Sequence, residues 1–434
     1  MKRIFTIILL FTGLTAFAQQ GPPVLKLTLN DAINYALENN FNQQKLIISK
    51  SSAEEELQQS KRDLLPNLSG SLSQGVSNGQ NNQGANTSLN GNYSINSQAN
   101  LYNGGQSRNS IRKNQLLMEQ SGTKISQSQN QLAISVIKSF LSVLMNEELR
   151  KYQQEVLKIS EEQCKLGEVQ FSAGKILKSD YMLLEAQLAS DRFNYVNSEV
   201  KRESALLELK NYLSIDPSKN IEVVAPNSGI YADALPLPEL TKFLGETLAW
   251  LPDIEISRQN IDMANLDLKI AKGGLTPAIS IGGSVSSGYT GGTSSWSSQF
   301  GNNLNEQISV SISIPVWNRG KVKSGIKQSQ YRREQAEIEA KETEMSIRTQ
   351  LEQEYNGVVA EQNKFSAAET GYNAYKENFD SYRLQYNEGL ITTTDMLQQQ
   401  NNYLNALSNY LQSKYSFLLN RKVLDVYMGL EIVI

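Results

Sequence analysis

Residues Val169-Gln170-Phe171-Ser172-Ala173-Gly174, running on to Ser179-Asp180, recur 215 positions later as Leu384-Gln385-Tyr386-Asn387-Glu388-Gly389, running on to Thr394-Asp395. The same offset pairs Tyr195 with Tyr410, Leu209 with Leu424 and Tyr212 with Tyr427. Toward the N-terminus it pairs Leu101-Tyr102-Asn103 and Gly105 with Val316-Trp317-Asn318 and Gly320. Leu64-Leu65-Pro66 meets Leu275-Thr276-Pro277 at an offset of 211, as a change of loop length between the two windows would produce. The chain is written twice. Repeats this long point to pseudo-symmetric duplication, since solenoid units run to roughly 20–50 residues. The first repeat is placed at 19–224 and the second at 239–434, joined by a Pro-rich linker, 225–238.

Each repeat carries two long helices, expected at about 107–172 and 176–214, then at about 321–387 and 391–428. Between Lys321 and Tyr386 there is no proline, and the glycines are Gly325, Gly357 and Gly371. At ~1.5 Å per residue this segment is about 100 Å long, against about 10–14 residues for an ordinary globular helix. Leu351, Val358, Phe365, Tyr372, Phe379 and Tyr386 recur every seventh residue, and Leu397, Leu404, Leu411 and Leu418 follow suit. In the first repeat Tyr152, Val156, Ile159 and Leu166 give the 4-3-7 version. Such spacing marks helices packed along a coiled-coil seam. Gln, Asn, Ser, Lys and Glu crowd the flanks, so much of the helix surface is wet, which suits a single-layer wall of helices as well as a plain coiled coil.

Each repeat also carries two strands, expected at about 67–77 and 88–103, then at about 278–289 and 306–317. Leu89, Tyr93, Ile95 and Leu101 alternate with Asn90, Asn92, Ser94, Asn96 and Asn100; Ile308, Val310 and Ile312 alternate with Ser309, Ser311 and Ser313. Period-two patterning gives each strand one apolar and one polar face. The polar face is small and uncharged, which suits a hydrated lumen. The Gly-, Asn- and Ser-rich segments Ser77 to Thr87 and Thr290 to Asn305 are read as exposed hairpin loops.

The N-terminus reads as a signal peptide, 1–18: Lys2 and Arg3, then the apolar run Ile4 to Phe11, then Ala16-Phe17-Ala18 as the cleavage pattern. Past it, no run of ~18 apolar residues offers a spanning helix, so insertion in a bilayer has to use strands. Net charge is −3, which leaves no basic footprint for nucleic acid. With no histidine, a His-based triad or zinc site is excluded. The single cysteine, Cys164, falls inside a helix and cannot form an intramolecular disulfide. Gly174-Lys175-Ile176 lacks the Ser/Thr and upstream glycine of a phosphate loop. Glu54-Glu55-Glu56 and Glu161-Glu162 read as solvated helix faces. No enzyme, cofactor or metal site is expected.

Four strands cannot close a membrane barrel, since the smallest need about eight. An open sheet would leave unpaired edges in lipid, which is prohibitive. Closure therefore demands further copies of the chain. Two would supply eight strands and three would supply twelve, and the count of four per chain does not choose between them. A soluble periplasmic sheet packed on a helical bundle is the bland alternative.

In this order and duplication, the features resemble the TolC-like outer-membrane efflux protein family, the outer-membrane factors of tripartite efflux pumps and type I secretion systems. The carriers are the signal peptide, the two repeats, Phe171-Ser172-Ala173-Gly174 with Asp180, and Tyr386-Asn387-Glu388-Gly389-Leu390 with Asp395. Leu29-Asn30-Asp31-Ala32, continuing to Ala36-Leu37-Glu38-Asn39-Asn40, resembles the family's N-terminal helix. The resemblance implies a mainly α fold with a small β part. Three copies would form a homotrimer with a twelve-stranded transmembrane β-barrel in outer-membrane lipid and a long α-helical barrel through the periplasm. It implies a passive exit duct for small molecules, fed by an inner-membrane transporter through a periplasmic adaptor (membrane fusion) protein. A protein-exporting duct of a type I system and a non-transporting coiled-coil scaffold are the rival readings.

The resemblance also implies roles for residues. Gly174 and Gly389 become tip turns, flanked by Phe171, Tyr386 and Leu390, where the adaptor docks. An ordinary C-cap needs the same positive φ at such a glycine. Asp395 becomes the pore constriction, with Gln398 standing where a second acidic residue is expected and Ile391 where a basic linking residue is expected. Asp395 fits equally a helix-start aspartate that the macrodipole stabilises by a few tenths of a kcal/mol. Asp180 becomes a link between neighbouring helices.

Overall fold

The computed structural model describes residues 25–81, 84–225, 236–291 and 296–430. The expected signal peptide and most of the expected linker lie outside them. In chain order the first half holds β1 (Leu25–Leu27), α1 (Leu29–Asn39), α2 (Phe41–Arg62), β2 (Asn67–Asn81), β3 (Gly84–Asn103), α3 (Gln106–Ser172), α4 (Lys178–Leu213) and β4 (Ile221–Val223). The second half holds α5 (Leu240–Trp250), α6 (Pro252–Gly273), β5 (Ala278–Thr290), α7 (Trp296–Asn302), β6 (Asn305–Ser313), α8 (Lys321–Asn387) and α9 (Thr393–Tyr427). Both ends of α2 and α6 are 211 residues apart, and both ends of α3 and α8 are 215 apart. The extra residues fall in the second hairpin, which is where α7 sits.

The starts and stops of these helices follow from local chemistry. Thr28 and Asp31 form a capping box at α1, and the Asn40 side chain accepts from the backbone N–H of Asn42 at 2.9 Å to open α2. Pro252 takes the first position of α6, where its missing N–H costs nothing. Pro66 and Pro277 follow α2 and α6 and turn the chain into strand.

The four long strands form one antiparallel sheet in the order β2-β3-β5-β6. Leu72 lies opposite Tyr93, Ile95 opposite Val285, and Ile281 opposite Val310, so the apolar residues share one face across the whole sheet. That face is bare: Leu72 is 71% exposed, Ile95 56%, Val310 62% and Ile308 84%. The opposite face carries Ser71, Ser94, Asn96, Ser284 and Ser311, joined in places by hydroxyl pairs such as Ser71–Ser94 at 2.7 Å. The outer edges of β2 and β6 have no partner strand among the described residues.

Three expectations need correction here. The first hairpin keeps its ladder through Ser77–Ser88 to Asn81–Gly84, so the segment read as a loop is mostly strand. Its Gly, Asn and Ser content mimicked a loop, but the backbone pairing is indifferent to that. The last strand stops at Ser313 and not at 317, because Pro315 has no N–H for the ladder. In the first long helix the buried seam runs through Val156, Ser160, Gln163 and Gly167, while Leu166 is 40% exposed. Small and polar residues hold the close helix contact past Val156, so the hydrophobic periodicity caught Val156 and missed the rest of that seam.

The core lies where short helices cross the long ones. Leu29, Ala32, Ile33 and Ala36 of α1 pack on Val136, Ile137 and Phe140 of α3 and on Leu209 and Leu213 of α4. The second repeat copies this with Phe243 and Leu244 of α5 against Leu351 and Val358 of α8 and Leu424 of α9. Beside the first cluster, β1 and β4 pair in parallel, Leu25 opposite Ile221. No helix among the described residues is long and apolar enough to cross a membrane.

Candidate functional site

At the end remote from the sheet, both repeats reverse direction through the same turn. The Lys175 N–H donates to Gln170 O at 2.8 Å and the Gly174 N–H to Phe171 O at 2.9 Å. In the second turn the Leu390 N–H donates to Gln385 O at 2.9 Å and the Gly389 N–H to Tyr386 O at 3.0 Å. These bonds satisfy the last carbonyls of α3 and α8 and need a left-handed residue, supplied by Gly174 (φ 71) and Gly389 (φ 75). Nothing lies within 4 Å of a Cβ built at either glycine, so the requirement is conformational and not one of space.

The flanking residues divide into supports and exposed tips. Tyr386 is buried with Leu184, Phe379, Met396 and Leu397, and its hydroxyl lies 3.4 Å from that of Thr393. Leu184 comes from the first repeat and joins the two turns; it seats against Gly167, where a Cβ would stand 2.4 Å from its Cδ1. Phe171 stacks flat on Tyr181 at 5.7 Å. Leu177 and Leu390 are 70% and 73% exposed and form the apolar ends of the molecule.

Asp180 and Asp395 occupy equivalent places, three residues past the caps of α4 and α9. Each carboxylate accepts from the cap backbone N–H, at 3.3 Å from Leu177 and 3.4 Å from Thr392. The second turn gains more: the Thr392 hydroxyl donates to Asp395 at 2.6 Å, and the Asp395 N–H donates to that hydroxyl at 3.1 Å. Asp395 and Gln398 share the exposed face of α9 with Asn402, which accepts from the Gln398 amide at 3.2 Å. Asp180 forms no ion pair to another helix within the chain's described residues. Ile391 packs beside the buried Met396 cluster.

Above the turns the helices are held by two features that the periodicity showed only in part. Phe365, Tyr372 and Phe379 of α8 interleave with Phe417, Tyr410 and Tyr403 of α9, with ring centroids 4.9–6.0 Å apart. Burial raises the Tyr403 phenol, and that of Tyr152 beside it, far above the usual tyrosine range. The other feature is a buried polar knot. Asp191 is fully buried, accepts from the Ser160 hydroxyl at 2.5 Å and from the Gln187 amide at 3.0 Å, and faces no cation among the described residues. Burial holds its carboxyl above the ordinary range, against the two hydrogen bonds that lower it. The Oε1 atoms of Gln163 and Gln400, nearby on α3 and α9, find no partner among the described residues.

A family model, outer membrane efflux protein, matches residues 32–214 and 243–430, one match for each repeat. The chain belongs to that family. As an outer membrane efflux protein it resides in the outer membrane, which accounts for the bare apolar face of the sheet. Solved structures share the whole architecture. CusC superposes with a TM-score of 0.80 at 17% identity, over 93% of this chain and 92% of that one. The CmeC outer membrane channel of Campylobacter jejuni gives 0.81 at 17%, over 92% and 85%. The open-state MtrE outer membrane channel of Neisseria gonorrhoeae gives 0.76 at 19%, over 93% and 89%. No curated protein matches the chain in sequence.

Proposed function

We propose that the protein is the passive exit duct of a tripartite efflux pump and works as a homotrimer. One observation carries this reading. A four-stranded sheet with a bare apolar face and two open edges continues into helices 67 residues long. Pairing β6 of one copy with β2 of the next removes every open edge, and three copies make a twelve-stranded barrel. Twelve strands leave a lumen, whereas eight are filled by their own side chains. The Ser and Asn face lines that lumen.

In this reading the turns at Gly174 and Gly389, with Phe171, Tyr386 and Leu390, form the surface on which a periplasmic adaptor docks. Exposed Leu177 and Leu390 supply apolar contact there. Three copies of Asp395 and Gln398 surround the constriction, and Asp180 reaches a helix of the neighbouring copy. Small molecules arrive from an inner-membrane transporter, which provides the energy. The duct opens when the adaptor parts the tip helices.

Purified protein inserted in planar bilayers tests the duct. Discrete conductance steps and a trimer by mass in detergent are expected. A monomer that stays in solution without detergent would overturn the proposal.

A further inference from the structure

The four places where helix meets strand lie at the same end of the sheet, since Asn103 pairs with Ala278, Ala278 with Ser313, and Asn67 opens β2 opposite Gln98. The connectors there, with the seven helical residues nearest each, span 56–66, 104–112, 267–277 and 314–327. They hold ten Lys or Arg and three Asp or Glu, in a chain whose net charge is −3. Arg62 pairs with Glu55 at 3.5 Å; the other nine cations form no ion pair among the described residues.

Helix chemistry accounts for part of this only. Lys61, Arg62 and Lys272 sit in last turns, where the macrodipole welcomes a cation. Arg108, Lys321 and Lys323 sit in the opening turns of α3 and α8, where it opposes them, and neither turn has an acidic residue. The duplication nevertheless keeps the charge. Arg108 and Arg112 meet Lys323 and Lys327 at the offset of 215, and Lys61 meets Lys272 at 211.

A second observation fixes what lies beside these charges. Between them and the apolar face of the sheet, Leu65, Leu101, Tyr102, Leu275 and Trp317 are all exposed, Trp317 at 83%. Amphipathic aromatic rings at a strand end mark the border between lipid and water. Cations one or two helical turns beyond such a border lie in the headgroup layer, on the side from which the helices leave.

We infer that these residues form a basic collar that binds the anionic headgroups of phospholipids in the periplasmic leaflet. Arg and Lys reach such headgroups by laying their aliphatic stems on the apolar border. Phosphate-bearing lipid supplies the negative charge that the opening turns of α3 and α8 lack. The inference rests on the outer-membrane location and not on which pump the protein serves.

The test uses the mature protein in neutral detergent, titrated with short-chain phosphatidylglycerol or with phosphatidylcholine of the same chain length. Phosphatidylglycerol is expected to raise the midpoint of thermal unfolding and phosphatidylcholine to leave it in place. High salt should abolish the difference by screening. The combined variant Arg108→Gln, Arg112→Gln, Lys323→Gln and Lys327→Gln should lose it while keeping the midpoint in phosphatidylcholine. Equal midpoints in the two lipids overturn the inference, as does a difference that survives salt. A variant that changes the cation-to-anion permeability ratio in pure phosphatidylcholine bilayers, yet keeps the phosphatidylglycerol rise, places the charges in the lumen and also overturns it. Should the combined variant fail to assemble, the salt titration of the unaltered protein decides.

Discussion

Tyr372 stacks on Tyr410 with ring centroids 4.9 Å apart and planes 13° from parallel. The pair is the centre of the aromatic row that clamps α8 to α9. Offset aromatic pairs contribute about 0.5–1.5 kcal/mol beyond the area they bury. A double-mutant cycle with Tyr372→Leu and Tyr410→Leu, read by chemical denaturation, should return a coupling in that range. Additive effects would mean that the stacking is incidental to burial. Phe379→Ala, at a buried position, should cost about 3–5 kcal/mol because it also opens a cavity.

Asp191 makes stability depend on pH. Its carboxyl titrates above the ordinary value in the folded protein, so the protonated form is favoured by folding. The contribution is complete below the unfolded value of about 3.9 and is lost as pH rises through the raised folded value. Thermal midpoints measured from acid to neutral pH should therefore include a descending component that Asp191→Asn removes. The variant should be at least as stable as the parent near neutrality, since no cation faces the carboxylate. A less stable variant at that pH would show that the ionised carboxylate is the favoured form.

How far the sequence reached can be judged from particular residues. The heptad of Leu351, Val358 and Phe379 marks the buried seam of α8, because large apolar side chains at a fixed period report their own face. The strand faces were equally legible from Ile308, Val310 and Ile312. The knot of Ser160, Gln163, Asp191 and Gln400 was not, since buried polar groups have the composition of a wet surface. Nor were Tyr403, Tyr410 and Phe417, whose spacing runs one position from the leucine row Leu404, Leu411 and Leu418 and is masked by it. At the tip, Gly174 and Gly389 announced the reversal, but the contrast between Leu177 and Thr392 as caps emerged only from the hydrogen bonds.

Gly389 tests the turn itself. With φ at 75, a Cβ is strained even though space is free, so Gly389→Ala should cost about 1–2 kcal/mol. Asparagine tolerates this conformation better, and Gly389→Asn should recover much of the loss. Denaturation midpoints of the two variants make the comparison. A neutral alanine variant would mean that the turn is free to relax.

Asp395 combines two roles that one substitution cannot separate. Its carboxylate accepts from Thr392 in the capping box, and it stands on the exposed face of α9 with Gln398. Thr392→Val removes the cap hydroxyl and leaves the charge, at a cost of about 1 kcal/mol in stability. Asp395→Asn removes the charge and leaves a side chain that still accepts from the Thr392 N–H. If three carboxylates meet at the constriction, Asp395→Asn raises resting conductance or weakens block by divalent cations in planar bilayers, while Thr392→Val changes neither. Conductance and block unchanged in Asp395→Asn would leave the residue as the start of a helix only.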